Sequence, residues 1–303
     1  MRFEVTILGS SSATPIYNRN PTAQVLNVNE RLYLIDCGEG TQQQMLRFDI
    51  KASHIDHIFI SHLHGDHYLG LVGLLSSLHL NGRKKPLFLF GPAPLIEIID
   101  LQLKYSETVL QYPLQFTATD ANKVETLVAN DDVTVETIPL DHRIPCTGFL
   151  FREKKRLRKL IKEEIERLNI PISFYTSIKK GADYTAPDGT VYSNGSLSFD
   201  SADPRTYCYC SDTLPVEKYY LQITNADLLY HESTFLNAML DRAKETHHTT
   251  ALQAGQIALN NRAKKLLIGH FSARYKVLDE LLEEARSVFP NTELAIEGKT
   301  FVI

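Results

Sequence analysis

Short strand-like, largely apolar runs recur through the first half of the chain, at residues 3–8, 23–28, 32–35, 57–60 and 87–90, and the first of them alternates apolar with polar residues. Each run is bounded by Gly, Pro, Asn or Asp. Such short runs between turn residues predict strands. Between 68 and 80 the period changes, and Leu71, Leu74, Leu75 and Leu78 recur at three- and four-residue spacing as the apolar stripe of a helix. A second series of strands is expected at 134–138, 148–151, 206–210 and 228–231, then a helix over 251–260 and a strand over 265–268. Strands and helices alternating in both halves predict an α/β sandwich whose functional groups sit at strand ends.

One region breaks this pattern. Residues 152–159, Arg-Glu-Lys-Lys-Arg-Leu-Arg-Lys, carry six basic side chains in eight positions, and the run is expected to continue as a charged helix to Leu168. From 170 to 194 the chain is rich in turn residues, including Pro187-Asp-Gly189. We read 152–194 as a flexible arm inserted into a single domain spanning 1–303.

Composition narrows the class. Hydrophobic residues at 43% and charged residues at 22% are globular values, and no apolar stretch reaches the ~18 residues needed to span a bilayer. The first eight residues alternate and include Glu4, unlike a secretory signal, so a cytoplasmic protein without a membrane partner is expected. Cys37, Cys146, Cys208 and Cys210 lack zinc or redox spacing and read as buried thiols. The net charge of -4 argues against nucleic-acid binding through overall charge, so any such binding must use a local basic patch such as the arm.

The chemistry concentrates in Phe59-Ile-Ser-His-Leu-His-Gly-Asp-His67. Here three of the chain's eleven histidines and one carboxylate fall within six residues, between a strand and a helix. If the strand runs on, His62 and His64 leave on one face and can share an ion. Asp66 and His67, opening the helix, suit a second ion beside it, and imidazole with carboxylate is a mixture that zinc accepts. Two ions need further donors at strand ends. His142, Asp212 and His270 are the candidates, and Asp212 could bridge. Taken singly, Asp212 is also a plausible helix cap and His270 a core histidine.

The order of these residues resembles the ligand pattern of the metallo-β-lactamase superfamily, and within it the chain resembles the short-form ribonuclease Z family of tRNA 3′-processing endonucleases. The resemblance rests on Leu8-Gly-Ser-Ser-Ser-Ala-Thr-Pro15, Ile35-Asp-Cys-Gly-Glu-Gly-Thr-Gln42, the motif at 62–67, His231-Glu-Ser-Thr234, His248-Thr-Thr250 and Gly269-His-Phe-Ser-Ala-Arg-Tyr275. It implies a four-layer αββα sandwich with an inserted tRNA-binding arm, and two zinc ions per subunit. His62, His64 and His142 would hold one ion, Asp66, His67 and His270 the other, and Asp212 would bridge them. Asp36 would orient a ligand through a hydrogen bond.

The resemblance also implies cleavage of precursor tRNA after the discriminator nucleotide by a homodimer, leaving a 3′-hydroxyl. Asp66 would accept the proton of the attacking water, and His248, oriented by Glu232, would assist the leaving group. Arg19 and Asn20 match the family's substrate loop Pro-x-Lys-x-Arg-Asn, but Tyr17 stands where that pattern has lysine. The arm lacks the family's Gly-Pro motif, and its expected tRNA contacts are Lys154, Lys155, Arg156, Lys179 and Lys180. Two competing readings are a metallohydrolase of small esters, lactones or cyclic nucleotides, and a non-catalytic nucleic-acid-binding relative.

Overall fold

The computed structural model describes residues 2–303. Its contacts divide the chain into two compact units, one formed by the residues up to Arg152 together with Arg205–Ile303, the other by Glu153–Pro204.

The larger unit is built on two seven-stranded sheets. In the first, Thr300–Val302, Phe3–Gly9, Ala23–Val28, Arg31–Ile35, Ile55–Phe59, Leu87–Pro92 and Leu114–Thr119 lie side by side. In the second the order is Thr292–Leu294, Leu266–Gly269, Leu228–Glu232, Thr206–Cys210, Thr147–Glu153, Val133–Pro139 and Thr126–Ala129. Strand geometry sends successive side chains to opposite faces, and both faces are apolar. Phe3, Val5, Ile7, Tyr33, Ile35 and Phe59 meet Phe149, Phe151, Tyr207, Tyr209 and Tyr230 in one core between the sheets. Leu8, Val25, Leu34, Ile58 and Leu89 face the opposite way and pack with Leu71, Leu74, Leu75, Leu78, Leu95 and Ile99 of the helices Leu71–Leu80 and Pro94–Tyr105. Ala251, Ala254, Ile257, Leu281 and Ala285 of the helices Ala251–Asn260 and Asp279–Val288 cover the outer face of the second sheet. This is the αββα sandwich of the metallo-β-lactamase fold, with parallel strand pairs leading from both sheets into the loops that carry the histidines.

Two local expectations differ. The strand Ile55–Phe59 ends before the histidines instead of running into them, because Ser61 is tied to Asp36. The helix expected over 68–80 is two pieces, Gly65–Tyr68 and Leu71–Leu80. Gly70 between them passes so close to the loop above that a Cβ would lie 2.2 Å from the Gly38 carbonyl oxygen.

The smaller unit, Glu153–Pro204, has its own core of Ile165, Ile170, Ile178, Tyr184 and Leu197. Its basic run is not a helix. The first helix of the unit, Lys162–Arg167, begins only after that run, preceded by irregular chain and by Lys159–Leu160 paired with Ser198–Phe199. Arg158 explains the difference, since its side chain bonds to Ser198 and Asp200 and its backbone N–H donates to the Lys179 carbonyl. Those tertiary contacts hold the segment extended.

Candidate metal centre

The site begins with a strained turn. Asp36 follows the strand Arg31–Ile35 with φ of 55°, a left-handed conformation that costs a non-glycine residue of order 1 kcal/mol or more. Its buried carboxylate accepts hydrogen bonds from the Ser61 N–H (2.7 Å), the Ser61 hydroxyl (2.9 Å), the Tyr209 hydroxyl (2.6 Å) and His67 Nδ1 (2.7 Å). This fixes the His67 tautomer and turns Nε2 toward the cleft. His142 is held similarly, its Nδ1 donating to the His247 carbonyl (3.0 Å). His270 also has positive φ, 61°, and is preceded by Gly269, where a Cβ would meet the Tyr230 hydroxyl at 2.4 Å.

Seven donors then converge as two groups sharing one carboxylate. His62 Nε2 and His142 Nε2 lie 3.0 and 3.1 Å from His64 Nδ1, and 3.6 and 3.7 Å from Asp212 Oδ2. On the other side, His67 Nε2 is 3.5 Å from both Asp66 Oδ2 and Asp212 Oδ1, and His270 Nε2 is 3.4 and 3.2 Å from the same two oxygens. Four ligands about 2.1 Å from one centre sit roughly 3.4 Å apart in a tetrahedron, so both sets of spacings fit a metal ion. Asp212 presents a different oxygen to each group, the geometry of a bridging ligand.

Electrostatics supports the same fit. Burial and neighbouring imidazoles, His67 foremost, hold His62 well below its ordinary value, and burial brings His142 to about 4. These rings are neutral, the form that binds metal. His67 is the opposite case. Burial would lower it, but Asp66, Asp212 and Asp36 together push it well above its ordinary value. Three carboxylates around one imidazole call for positive charge, which a divalent ion supplies as well as a proton does. His67 Nε2 is moreover buried without a hydrogen-bond partner. The nitrogen and oxygen donor set is one that zinc favours.

A second carboxylate organises the far wall. Glu232 is fully buried, yet Oε1 accepts from the N–H groups of Thr213 (3.2 Å) and Thr249 (2.9 Å) and from His248 Nδ1 (2.9 Å). Its Oε2 accepts from the Thr234 N–H (3.0 Å) and hydroxyl (2.7 Å). The Thr234 hydroxyl in turn accepts from His270 Nδ1 (2.9 Å), joining a metal-facing imidazole to the Glu232–His248 pair. Burial pulls His248 down, but Glu232 outweighs it and raises the ring to about 9. A further grouping of Asp212, His248 and His270 is also close enough for a metal, but the His248 nitrogen nearest Asp212, at 4.0 Å, is the Nδ1 committed to Glu232. His248 therefore reads as a cationic donor rather than a ligand. His247 faces away, paired with Asp141 at 3.2 Å.

Ser12, Ala13, Asp66, His248, His270, Arg143, Arg242 and Arg274 line a cleft of about 620 Å³. The three arginines are exposed and no sequence signal assigned any of them a role, although Arg274 lies within the Gly269–Tyr275 motif; only the folded cleft brings them to one rim. The Ala13 N–H donates to Asp66 Oδ2 (2.7 Å), a backbone contact with no side-chain signature. Burial raises the Asp66 carboxyl, but His67 and His270 override it and hold it well below the usual carboxylate range.

Arg19 and Asn20 are placed differently from the cleft groups. Arg19 is 9% exposed, and its guanidinium donates to the carbonyls of Tyr275 (2.8 Å) and Lys276 (3.5 Å). The Asn20 N–H donates to Glu297 (2.6 Å). Within the smaller unit, Arg156 pairs with Glu153 at 3.0 Å, while Lys154, Lys155 and Lys180 are exposed and Lys179 is half-buried.

Residues 3–157 match the family model described as anti-Pycsar protein Apyc1. That span contains five of the seven donors and stops before Asp212, Glu232, His248 and His270. Full-length similarity lies elsewhere. The chain is 47% identical over 296 residues to ribonuclease Z of Phocaeicola vulgatus, covering 98% of this chain and 96% of that protein. It is likewise 47% identical over 304 residues to ribonuclease Z of Cytophaga hutchinsonii, covering 100% and 97%. Human short-form tRNase Z superposes with a TM-score of 0.71 at 28% identity over 98% of each chain. The metallo-β-lactamase fold protein YhfI of Bacillus subtilis superposes with a TM-score of 0.69 at 20% identity over 100% of both chains, a likeness of fold.

Proposed function

The chain belongs to the ribonuclease Z family of enzymes, and on that footing we propose that it is a zinc-dependent endoribonuclease that removes the 3′ trailer from precursor tRNA after the discriminator nucleotide, leaving a 3′-hydroxyl. The observation that carries this reading is the Glu232–His248 pair set beside Asp212, at the edge of a two-group donor site, in a cleft rimmed by arginines.

His62, His64, His142 and Asp212 Oδ2 would hold one zinc ion, and Asp66, His67, His270 and Asp212 Oδ1 the other. Two such ions supply a water-derived nucleophile at neutral pH and neutralise the charge of the phosphate. Asp66 is ionised, and its Oδ1 makes no hydrogen bond among the described residues, so this oxygen would orient the attacking water and take its proton as the bond to phosphorus forms. His248 stays protonated through Glu232 and directs Nε2, the nitrogen not used by that bond, to the departing ribose oxygen. Asp36 and Thr234 hold His67 and His270 in register.

The unit Glu153–Pro204 would grip tRNA through Lys154, Lys155, Lys179 and Lys180, with Arg156 partly committed to Glu153. Its local positive charge on a net acidic protein supports that role. In a homodimer, one subunit's arm would serve the other's site. Among the described residues no helix is long and apolar enough to cross a membrane.

The test is direct. Incubation with a 3′-extended tRNA and with mature tRNA, with and without chelator, followed by end mapping, should give a chelator-sensitive cut after the discriminator of the extended RNA. Cleavage that ignores the chelator, or no cut at that position, would refute the proposal.

A further inference from the structure

The substrate loop carries a feature that the cleft chemistry does not use. Ile16 and Arg19 exchange both backbone hydrogen bonds, 3.0 and 2.8 Å, around Tyr17 and Asn18, whose φ angles are 52° and 64°. Positive φ at both central residues makes this a type I′ turn. Asn suits that conformation, but a bulky aromatic residue does not, and such strain concentrates where a side chain must be presented in a set direction. Tyr17 is 45% exposed.

The turn is rigid at both ends. Behind the ring, the Arg19 guanidinium carbon lies 5.5 Å from the ring centroid, and Arg19 is itself buried and bonded to the carbonyls of Tyr275 and Lys276. At the base of the loop, Glu297 Oε1 accepts from the N–H groups of both Ser10 (3.3 Å) and Asn20 (2.6 Å), and Oε2 accepts from Gln44 Nε2 (2.6 Å). The Ser12 N–H donates to the Phe271 carbonyl, next to His270. Arg19 thus acts as a positioning residue, backing the ring that it touches.

The loop also reaches the reacting centre, because the Ala13 N–H donates to Asp66 Oδ2. Tyr17 follows Ala13 by four Cα-to-Cα steps, a reach of at most about 14 Å. That keeps the ring within the span of the nucleotides flanking the scissile phosphate. Single-stranded RNA is bound by stacking its bases on aromatic side chains, and a ring presented by a fixed turn has less freedom to lose on binding. We infer that Tyr17 is a stacking platform for a nucleobase adjacent to the scissile bond, presented by the Ile16–Arg19 turn and backed by Arg19. This rests on the proposed RNA substrate and names the chemistry by which the loop recognises it.

The experiment uses the full-length protein and a 3′-extended tRNA with 2-aminopurine at the discriminator or at the first trailer position. Binding to the wild type should quench fluorescence at one of these positions. Tyr17→Ala should abolish the quenching and raise KM roughly tenfold, the scale of one base–aromatic stack, and Tyr17→Phe should restore both. On RNA made abasic at the quenched position, wild type and Tyr17→Ala should have the same KM. The inference is overturned by absence of quenching in the wild type, by an unchanged KM in Tyr17→Ala, or by a deficit that persists at full size on the abasic RNA. Wild-type protein that quenches but does not cut would refute the proposed function and leave the stacking role standing. Cutting without Tyr17-dependent quenching would do the reverse.

Discussion

Replacing His248 with alanine separates chemistry from structure. The ring donates from Nδ1 to Glu232 Oε1, but Glu232 keeps four other donors, from Thr213, Thr249 and two on Thr234, so the buried carboxylate stays satisfied. The expected loss is one charge-assisted bond, of order 1.5–3 kcal/mol, which a folded domain tolerates. In the native fold His248 titrates near 9, against an ordinary value of 6.5. That separation corresponds to about 3 kcal/mol of stabilisation. Because the folded value is raised, this contribution is fully present below pH 6.5 and is lost as the pH rises through 9. Denaturant melts of metal-free protein should show the decline in the wild type and not in His248→Ala. The kinetic effect should depend on the leaving group. A ribose oxygen needs a proton, so kcat on precursor tRNA should fall by roughly 100-fold or more, the usual scale of general acid catalysis. A p-nitrophenolate leaves without one, so bis-p-nitrophenyl phosphate should be hydrolysed within about threefold of the wild-type rate. Equal losses on the two substrates would refute the donor role, and a wild-type stability that does not decline between pH 6.5 and 9 would refute the electrostatic argument.

Asp66→Ala should abolish cleavage while precursor tRNA still binds in a gel-shift assay, and near-normal turnover with zinc bound would count against Asp66 as proton acceptor. Removing residues 153–204 should weaken tRNA cleavage but spare hydrolysis of bis-p-nitrophenyl phosphate. An Asn-Gly insert in place of the deleted residues gives the joint room to turn, because Arg152 lies opposite Thr206 on paired antiparallel strands; equal loss on both substrates would sink the arm's role. Thr234→Val leaves His270 Nδ1 and Glu232 Oε2 each short of a partner, and zinc content measured by elemental analysis under limiting metal should drop from two ions toward one. Full occupancy at unchanged affinity would show that the hydroxyl does not orient His270.

The sequence by itself determined the layers and most of the donors. A period of two sets which side chains face the inner core and which the helices, a consequence of strand geometry that packing has no reason to override. The donors at 62–67 are close in the chain, and His142, Asp212 and His270 could be found because they follow strands and keep a family order. Geometry between distant segments was not legible. Whether Asp212 bridges depends on which oxygen faces which group, and that is set by strands some 150 residues from the motif. Arg19 matched a substrate-binding pattern, yet its guanidinium turns inward to two carbonyls that lie more than 250 residues along the chain. The basic run looked helical because charged residues favour helices locally, and tertiary bonds to Ser198 and Asp200 hold it extended. Local pattern decides element type and face, since those depend on neighbours in sequence. Orientation, tautomer and charge state depend on partners in space, so only the folded chain decides them.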